Sequence, residues 1–305
     1  MLWLPLCAIG AGLLLRRWPA AGRLLARIAD GVLYALMALI GLRMGASAEV
    51  RENLPRIGLS CLLICMAALA GSVALTLLLE KTLLFLPPAA QHGPDDGESG
   101  PDSGRAFAVL LPGCILAGFL AGWFLLPERL YGVADTAFSV LLALLYLTVG
   151  AALGDAIDIL RRASATGWRT LLLPAAIALG SLLGGALCGL LPGIPGKTAL
   201  LSAAGLGYYS YTGAFLTSTY GAEAGAYGFL SNVLRDSLTV LLLPLLRRLS
   251  PGSCLAAGAG GCMDTMLAPV TRSLGGNYAL PSLLSGAAVT ALTTVLLPLL
   301  AAILK

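Results

Sequence analysis

The stretch SNVLRDSLTVLLLPLL, residues 231–246, places Arg235 directly before Asp236 in a run that is otherwise almost entirely apolar. The segment from Ala224 to Leu246 is, at about 1.5 Å per residue, long enough to cross a hydrocarbon core of roughly 30 Å. The two charges fall near its middle, where each costs about 2.5 to 3.5 kcal/mol to insert. Neighbouring helical residues point about 100° apart, so no rotation of the helix hides both. Such a pair indicates either a functional site or a structural ion pair with a neighbouring helix.

The composition is that of a polytopic membrane protein embedded in a lipid bilayer. Hydrophobic residues make up 58% of the chain and charged residues 11%, against about 25% charged residues in a soluble domain. The sequence has no basic stripe with interleaved aromatic residues, which excludes a nucleic-acid-binding role. It has no nucleotide-binding motif either, which argues against direct ATP drive. The seven cysteines lack the partners of a metal site and are interpreted as packing residues, so no metal or cofactor is predicted.

The apolar runs predict an all-α fold with about eight transmembrane helices. The predicted spans cover residues 1–15, 27–47, 57–79, 106–126, 133–153, 169–191, 222–248 and 278–304. Residues 87–105, PPAAQHGPDDGESGPDSGR, form a predicted linker between the third and fourth spans, because they are rich in Pro, Gly and acidic residues.

The chain on the two sides of this linker is similar. Gly71 and Ser72 recur as Gly180 and Ser181, and the glycine pair Gly41 and Gly45 recurs at the same offset as Gly150 and Gly154. A unit of three spans therefore occurs twice, and because three is odd, the second copy crosses the membrane in the opposite direction. Inverted repeats of this kind are typical of secondary transporters. We interpret the spaced glycines as sites of close helix packing.

The C-terminal third contains a shorter repeat. AAGLG at 203–207 recurs as AAGAG at 256–260, and TVLLLPLL at 239–246 recurs as TVLLPLL at 294–300. In each unit a Gly-rich polar segment precedes a long apolar helix.

The two polar segments, residues 198–219 and 254–270, are predicted to be re-entrant hairpins with tips near the midplane, although a single broken span is the alternative for each. Arg247 and Arg248 lie in the cytoplasm if 198–219 is a hairpin, and the positive-inside rule therefore favours hairpins. Both chain termini are then predicted outside.

Polar side chains are concentrated at these tips. Asp264 and Thr265 fall at the second tip, residues 208–212 at the first, and Asn232 shares a helix face with Asp236. Asp264 has the alternative role of capping its own half-helix. The candidate substrate- or ion-binding residues are Asp236, Asp264, Arg235, Asn232, Tyr209, Ser210, Gly213 and Thr265.

Three motifs occur in order along these elements: GYYSYTGAFLT at 207–217, NVLRDSLTVLLLP at 232–244 and GCMDTMLAPV at 261–270. Together they resemble the lysine exporter LysO family of bacterial inner-membrane proteins. The resemblance implies export of L-lysine, and of toxic lysine analogues, out of the cytoplasm. The family usually carries Glu where this chain has Asp236. It also tends to place an acid soon after the glycines of the second span, and Glu49 is a weaker candidate for that position.

The order of the elements is similar to the elevator architecture of glutamate transporters. The similarity implies a scaffold domain at residues 1–192 and a moving transport domain at residues 197–305.

The leading hypothesis is a secondary transporter, and not an enzyme, that exports lysine by proton antiport, with sodium coupling left open. Asp236 and Asp264 would bind the ammonium groups or a coupling proton, and Arg235 would bind the substrate carboxylate or hold Asp236 in place. An elevator transporter of another amino acid or of an anionic metabolite is the alternative, and a membrane-embedded hydrolase is a remote one. A homo-oligomer is left open.

Overall fold

The structure, a computed structural model, describes residues 7, 10–12, 14–15, 19–46, 52, 54–82, 102–124, 133–134, 136–149 and 172–304. All regular secondary structure in these ranges is helical, which confirms the predicted all-α class. Residues 87–101 of the predicted linker, Glu49 and most of the first predicted span lie outside the described residues. The last four residues of the predicted linker, 102–105, are helical, so the helix that follows it begins earlier than the predicted span at 106.

The helices of the described ranges are numbered in chain order. They are α1 (Pro19–Ala46), α2 (Leu54–Thr82), α3 (Asp102–Phe124), α4 (Thr136–Val149), α5 (Leu172–Cys188), α6 (Gly196–Ala203), α7 (Tyr209–Tyr220), α8 (Ala222–Leu249), α9 (Pro251–Gly258), α10 (Leu267–Leu274) and α11 (Ala279–Ile303). Short 3₁₀ helices at Ala259–Met263 and Gly276–Tyr278 follow α9 and α10.

Three helices in the described part of the chain are long and apolar enough to cross a membrane: Pro55–Thr82 within α2, and the whole of α8 and α11. They coincide with the predicted spans at 57–79, 222–248 and 278–304. Helices α1, α3, α4 and α5 contain shorter apolar helical stretches. The total of eight spans stays a prediction.

Helices α1 and α3 pack in parallel through glycines. A Cβ atom on Gly41 would overlap the carbonyl of Ile115, and one on Gly45 would overlap the carbonyl of Phe119. Gly118 on α3 lies equally close to the backbone of α1. The prediction that Gly41 and Gly45 serve close packing is therefore confirmed, whereas Gly150 and Gly154 lie outside the described residues.

Helices α2 and α5 cross in opposite directions. A Cβ on Gly71 would overlap the Gly180 carbonyl, and a Cβ on Gly180 would overlap the Gly71 carbonyl. One turn away, Gly184 lies against the backbone of Ala67. Gly71-Ser72 and Gly180-Ser181, which occupy equivalent positions of the long repeat, therefore pack against each other. Equivalent positions contact each other in this way when a two-fold axis relates the two repeats.

The segment from α6 to α7 folds back on itself. The ammonium of Lys197, at the start of α6, lies 4.5 Å above the ring of Tyr220, at the end of α7. Just before α6, the carbonyl of Gly193 accepts a hydrogen bond of 2.9 Å from Arg56 near the start of α2. The first hairpin therefore begins and ends near the N-terminal end of α2.

The segment from α9 to Tyr278 folds back in the same way at the other end of the molecule. The Gly252 amide, at the start of α9, donates a 3.0 Å hydrogen bond to Glu80 near the C-terminal end of α2. The Tyr278 phenol lies within electrostatic reach of the same Glu80 and of Cys254. The two hairpins enter from opposite ends of α2, and their tips meet where the Gly260 amide donates a 2.9 Å bond to the Leu206 carbonyl.

Candidate functional site

A cavity of about 220 Å³ lies where the two hairpin tips face helices α1 and α4. The tips supply most of its polar side chains, and they line it with Gly207, Tyr208, Tyr209, Ser210, Gly260, Gly261, Met263 and Asp264. The opposite wall is mostly apolar and consists of Leu33, Leu145, Thr148 and Val149, with Thr290 of α11 beside the second tip. The cavity is therefore polar on the hairpin side and apolar on the α1 and α4 side.

Asp264 presents an exposed carboxylate to this cavity. One of its oxygens accepts a hydrogen bond from the Thr265 amide just before α10 begins. The N-cap residue of α10 is Met266, and no side chain caps this helix. The predicted alternative that Asp264 caps its own half-helix is therefore wrong, and its place at the cavity suits the ligand-binding hypothesis.

Asp236 lies behind the tips and is only 9% exposed. Its Oδ2 accepts a 2.9 Å hydrogen bond from the Thr265 hydroxyl. Its Oδ1 is buried and has no hydrogen-bond partner. A Cβ built on Gly261 would lie 3.0 Å from this oxygen and one built on Gly207 would lie 3.8 Å away. The free acceptor of Asp236 therefore lies near the backbone of both tips, at Gly207 and Gly261, and both of these glycines line the cavity.

Asn232 holds the first tip. Its Oδ1 accepts a 2.7 Å bond from the Gly207 amide, and its Nδ2 donates to the carbonyls of Ser202 at 2.9 Å and Gly228 at 2.8 Å. The amide group is 3% exposed, and its acceptor and both donors are engaged within the protein.

Arg235 points to the other side of α8 and is 2% exposed. Its Nε donates to the Ala257 carbonyl at 3.0 Å, its Nη2 to the Ala256 carbonyl at 2.9 Å and the Ser72 hydroxyl at 2.9 Å, and its Nη1 to the Ser181 hydroxyl at 3.1 Å. These bonds use most of the donors of a guanidinium. Of the two predicted roles, the geometry favours the structural one.

The other predicted residues divide between the cavity and the packing around it. Tyr209 and Ser210 line the cavity, and Tyr209 also packs edge-on against Phe229 at 5.7 Å between ring centroids. Gly213 lies one turn further along α7, where a Cβ would press on Phe229 and not reach the cavity. Thr265 contacts Asp236.

Two sets of residues at the site were not predicted from the sequence. The apolar wall had no signal, because leucine and valine are ordinary in a membrane helix. Ser72 and Ser181 did have one, since the repeat placed them at matching positions, but the pattern alone assigned them no partner. Within the described residues, no group of three or more His, Cys, Asp or Glu side chains is placed to hold a metal ion.

Comparison with known proteins identifies the family. The sequence profile of the lysine exporter LysO family matches residues 6–90 and 113–301. The chain belongs to the lysine exporter LysO family. The matched ranges include α2, α5, both hairpins and α8, so every described residue of the candidate site lies within them.

Two curated bacterial proteins are similar in sequence to this member of the LysO family. Lysine exporter LysO of Escherichia coli (strain K12) is 31% identical over 114 residues, which is 37% of this chain and 38% of the relative. A protein of Haemophilus influenzae (strain ATCC 51907 / DSM 11121 / KW20 / Rd), provisionally named a lysine exporter, is 28% identical over 127 residues, which is 42% of this chain and 65% of that protein. Each match spans less than two thirds of the relative's length.

Proposed function

We propose that this protein is a secondary transporter in a bacterial inner membrane that exports L-lysine from the cytoplasm. The observation that carries the proposal is the pair of carboxylates at the hairpin tips: Asp264, exposed to the cavity, and Asp236, buried with one unpartnered oxygen. A buried polar atom without a partner is uncommon, and for a carboxylate beside a cavity a bound ion or ligand group is one explanation. Membership of the LysO family and the names of the two relatives supply the substrate class.

The chemistry of the cavity suits a cationic amino acid. Lysine carries two ammonium groups and one carboxylate. Asp264, with Asp236 close behind it, offers negative charge to an ammonium group, and the faces of Tyr208 and Tyr209 offer cation–π contacts. The carboxylate would bind at the start of α7, where the first amides have no intrahelical partner and the N-cap residue makes no side-chain bond. Two carboxylates at one site disfavour the alternative of an anionic metabolite.

For coupling, we propose proton antiport through Asp236. Its Oδ1 has no donor in this arrangement, so the carboxyl can accept a proton and later release it as the tips move. A sodium ion would need several oxygen ligands around the same point, and Asp236, Thr265 and tip carbonyls are the available ones. Flux driven by an imposed pH gradient in the absence of sodium distinguishes the two couplings.

The asymmetric cavity supports alternating access by movement of the hairpins. All charged contacts to the substrate would come from the tips, and the wall of Leu33, Leu145 and Val149 would slide past a bound substrate without holding it. We propose a revised division of the expected domains at 1–192 and 197–305: α2 and α5 move with the hairpins. Support comes from Arg235, whose bonds to Ser72 and Ser181 would otherwise break in every cycle.

A counterflow assay in proteoliposomes tests the function. Vesicles loaded with unlabelled lysine should accumulate labelled lysine, arginine and ornithine should compete, and glutamate should not. Asp264→Asn should remove most of the flux, while Glu52→Gln, which neutralises an exposed acid outside the cavity, should leave it unchanged. Counterflow of glutamate in place of lysine would establish the anion-transport alternative, and product formation without flux would establish the hydrolase.

A further inference from the structure

The guanidinium of Arg235 links two serines from equivalent positions of the long repeat. Ser72 lies on α2 and Ser181 on α5, directly after the glycines at which these helices cross. Each hydroxyl accepts one hydrogen bond from Arg235. The crossing at Gly71 and Gly180 is what brings both hydroxyls within reach of one side chain.

Each serine hydroxyl also donates a hydrogen bond to a backbone carbonyl. A hydroxyl has a single proton, and when that proton is donated elsewhere its oxygen is left to accept. Ser72 donates to the Ile177 carbonyl at 2.9 Å, and Ser181 donates to the Ala203 carbonyl at 2.8 Å. Both hydroxyls are thus oriented as acceptors toward the guanidinium.

Two of the carbonyls in this network, those of Ala203 and Ala256, occupy equivalent positions of the shorter repeat. Ala203 opens the AAGLG turn of the first hairpin, and Ala256 opens the AAGAG turn of the second. Arg235 binds the Ala256 carbonyl directly and reaches the Ala203 carbonyl through Ser181. One side chain therefore fixes the starts of both tips relative to α8.

Arg235 is also the residue directly before Asp236 in α8, so the two share a peptide bond. When the guanidinium is held at Ser72 and Ser181, the backbone that carries the Asp236 carboxyl is held too, and so is its distance from Gly207 and Gly261. Without the two serine hydroxyls, the guanidinium would lose half of its hydrogen bonds. Its remaining acceptors, the carbonyls of Ala256 and Ala257, both lie at the end of α9, so they would hold it from one side and leave it free to change orientation.

We propose that Ser72 and Ser181 are positioning residues for the substrate site: they hold Arg235, and through it they set the geometry of both hairpin tips and of Asp236. They do not touch the cavity. The part of this proposal that concerns lysine rests on the proposed function, and the part that concerns tip geometry does not.

The test uses the full-length protein in lipid nanodiscs and the variants Ser72→Ala and Ser181→Ala. The matched control is Ser282→Ala, which removes another fully buried serine hydroxyl, one without a hydrogen-bond partner. Amide hydrogen exchange is followed at residues 203–207 and 256–261, and the lysine dissociation constant is measured by calorimetry well below each variant's melting temperature. Ser72→Thr and Ser181→Thr, which keep the hydroxyl, serve as the conservative rescue.

We expect faster exchange at the tips and about tenfold weaker lysine binding in each alanine variant, which corresponds to loss of one charge-assisted hydrogen bond. We expect no change in Ser282→Ala and recovery in the threonine variants. In an Arg235→Met background, Ser72→Ala should have no further effect on lysine binding, because both act through one contact.

A lowered melting temperature with unchanged tip exchange and unchanged lysine binding would show that the serines only stabilise the fold, and would overturn the proposal. Full additivity of Ser72→Ala and Arg235→Met would overturn it as well. If the unmodified protein binds no lysine but the tips still exchange faster in the alanine variants, the positioning role stands and the proposed substrate fails.

Discussion

The two hairpin tips share an unusual backbone angle but are supported by different groups. Leu206 in AAGLG and Ala259 in AAGAG occupy matching positions, and both have positive φ angles, of 51° and 43°. Positive φ is uncommon outside glycine. Its occurrence at the same position of both repeats indicates that this angle is a property of the repeated unit, although the next residue has positive φ only in the first tip, at Gly207.

The support differs because the helices that follow the hairpins have diverged. On α8, the Asn232 side chain bonds the backbone of the first tip at Gly207 and Ser202. On α11, Gly286 has no side chain, and the backbone of Met263 in the second tip lies directly against it. The hydrogen bonds of Asn232 therefore support the first tip, and the close backbone packing at Gly286 supports the second.

The two tips also present different chemical groups to the cavity. The first tip presents phenol and hydroxyl groups from Tyr208, Tyr209 and Ser210, and the second presents the Asp264 carboxylate. Asp236 lies between them: it accepts a hydrogen bond from Thr265 beside the second tip, and its other oxygen lies near Gly207 of the first. A repeated scaffold with unlike faces suits a substrate whose ends differ in charge, as those of lysine do.

The largest expected effect is that of Gly286→Ala. The new Cβ would overlap the backbone at Cys262 and Met263, so the second tip would have to move away from α11. We expect a loss of about 3 kcal/mol in the free energy of unfolding and loss of lysine flux, measured as the melting temperature and in proteoliposomes. Gly58→Ala is the control, because open space surrounds Gly58 on α2. Wild-type stability of Gly286→Ala would refute the close-approach account of the second tip.

A smaller effect is expected for Asn232→Ala. The substitution leaves the Gly207 amide without its 2.7 Å partner and should cost about 2 kcal/mol. Hydrogen exchange should accelerate at residues 203–207 and not at residues 256–261, because Asn232 bonds the backbone of the first tip and not that of the second. Ser237→Ala, at an exposed position of the same helix, is the control. Equal acceleration at both tips would mean that the tips are fixed jointly and not by separate supports.

The smallest effect is expected for Ala259→Gly. Glycine adopts positive φ without the Cβ penalty, so this variant should be slightly more stable than the wild type, by about 0.5 kcal/mol. The melting temperature measures the change. Leu206→Gly is not equivalent: both side chains are fully buried, but Ala259 loses a single methyl group and Leu206 a whole isobutyl group. Destabilisation by Ala259→Gly would show that the turn of the second tip is not strained.

The sequence predicted the polar tips and the residues that meet there because both carry strong local signals. Charge inside an apolar helix identified Arg235 and Asp236, and glycine with polar residues in mid-segment identified the hairpins. In each case the cost of placing polar groups in hydrocarbon makes the pattern rare without a structural or functional reason.

The partners of these residues could not be predicted, because they depend on how separate helices are rotated. Arg235 was a candidate for the substrate carboxylate as much as for a structural role, and only the crossing of α2 and α5 brings Ser72 and Ser181 to its guanidinium. Asn232 shares the face of Asp236 in sequence, yet its amide is used by the first tip. The apolar wall of the cavity has no signal at all in a chain of this composition.

The central claim is that the Asp236 carboxylate meets lysine or a coupling proton between the two tips. The most direct measurement is lysine flux by the purified Asp236→Asn variant in proteoliposomes, with and without a pH gradient, beside its melting temperature. Arg235 is hydrogen-bonded to neutral oxygens and not to Asp236, so the substitution removes none of these hydrogen bonds. The account predicts no flux, a melting temperature at least equal to that of the wild type, and retained flux in Asp236→Glu. Normal flux in Asp236→Asn would contradict it.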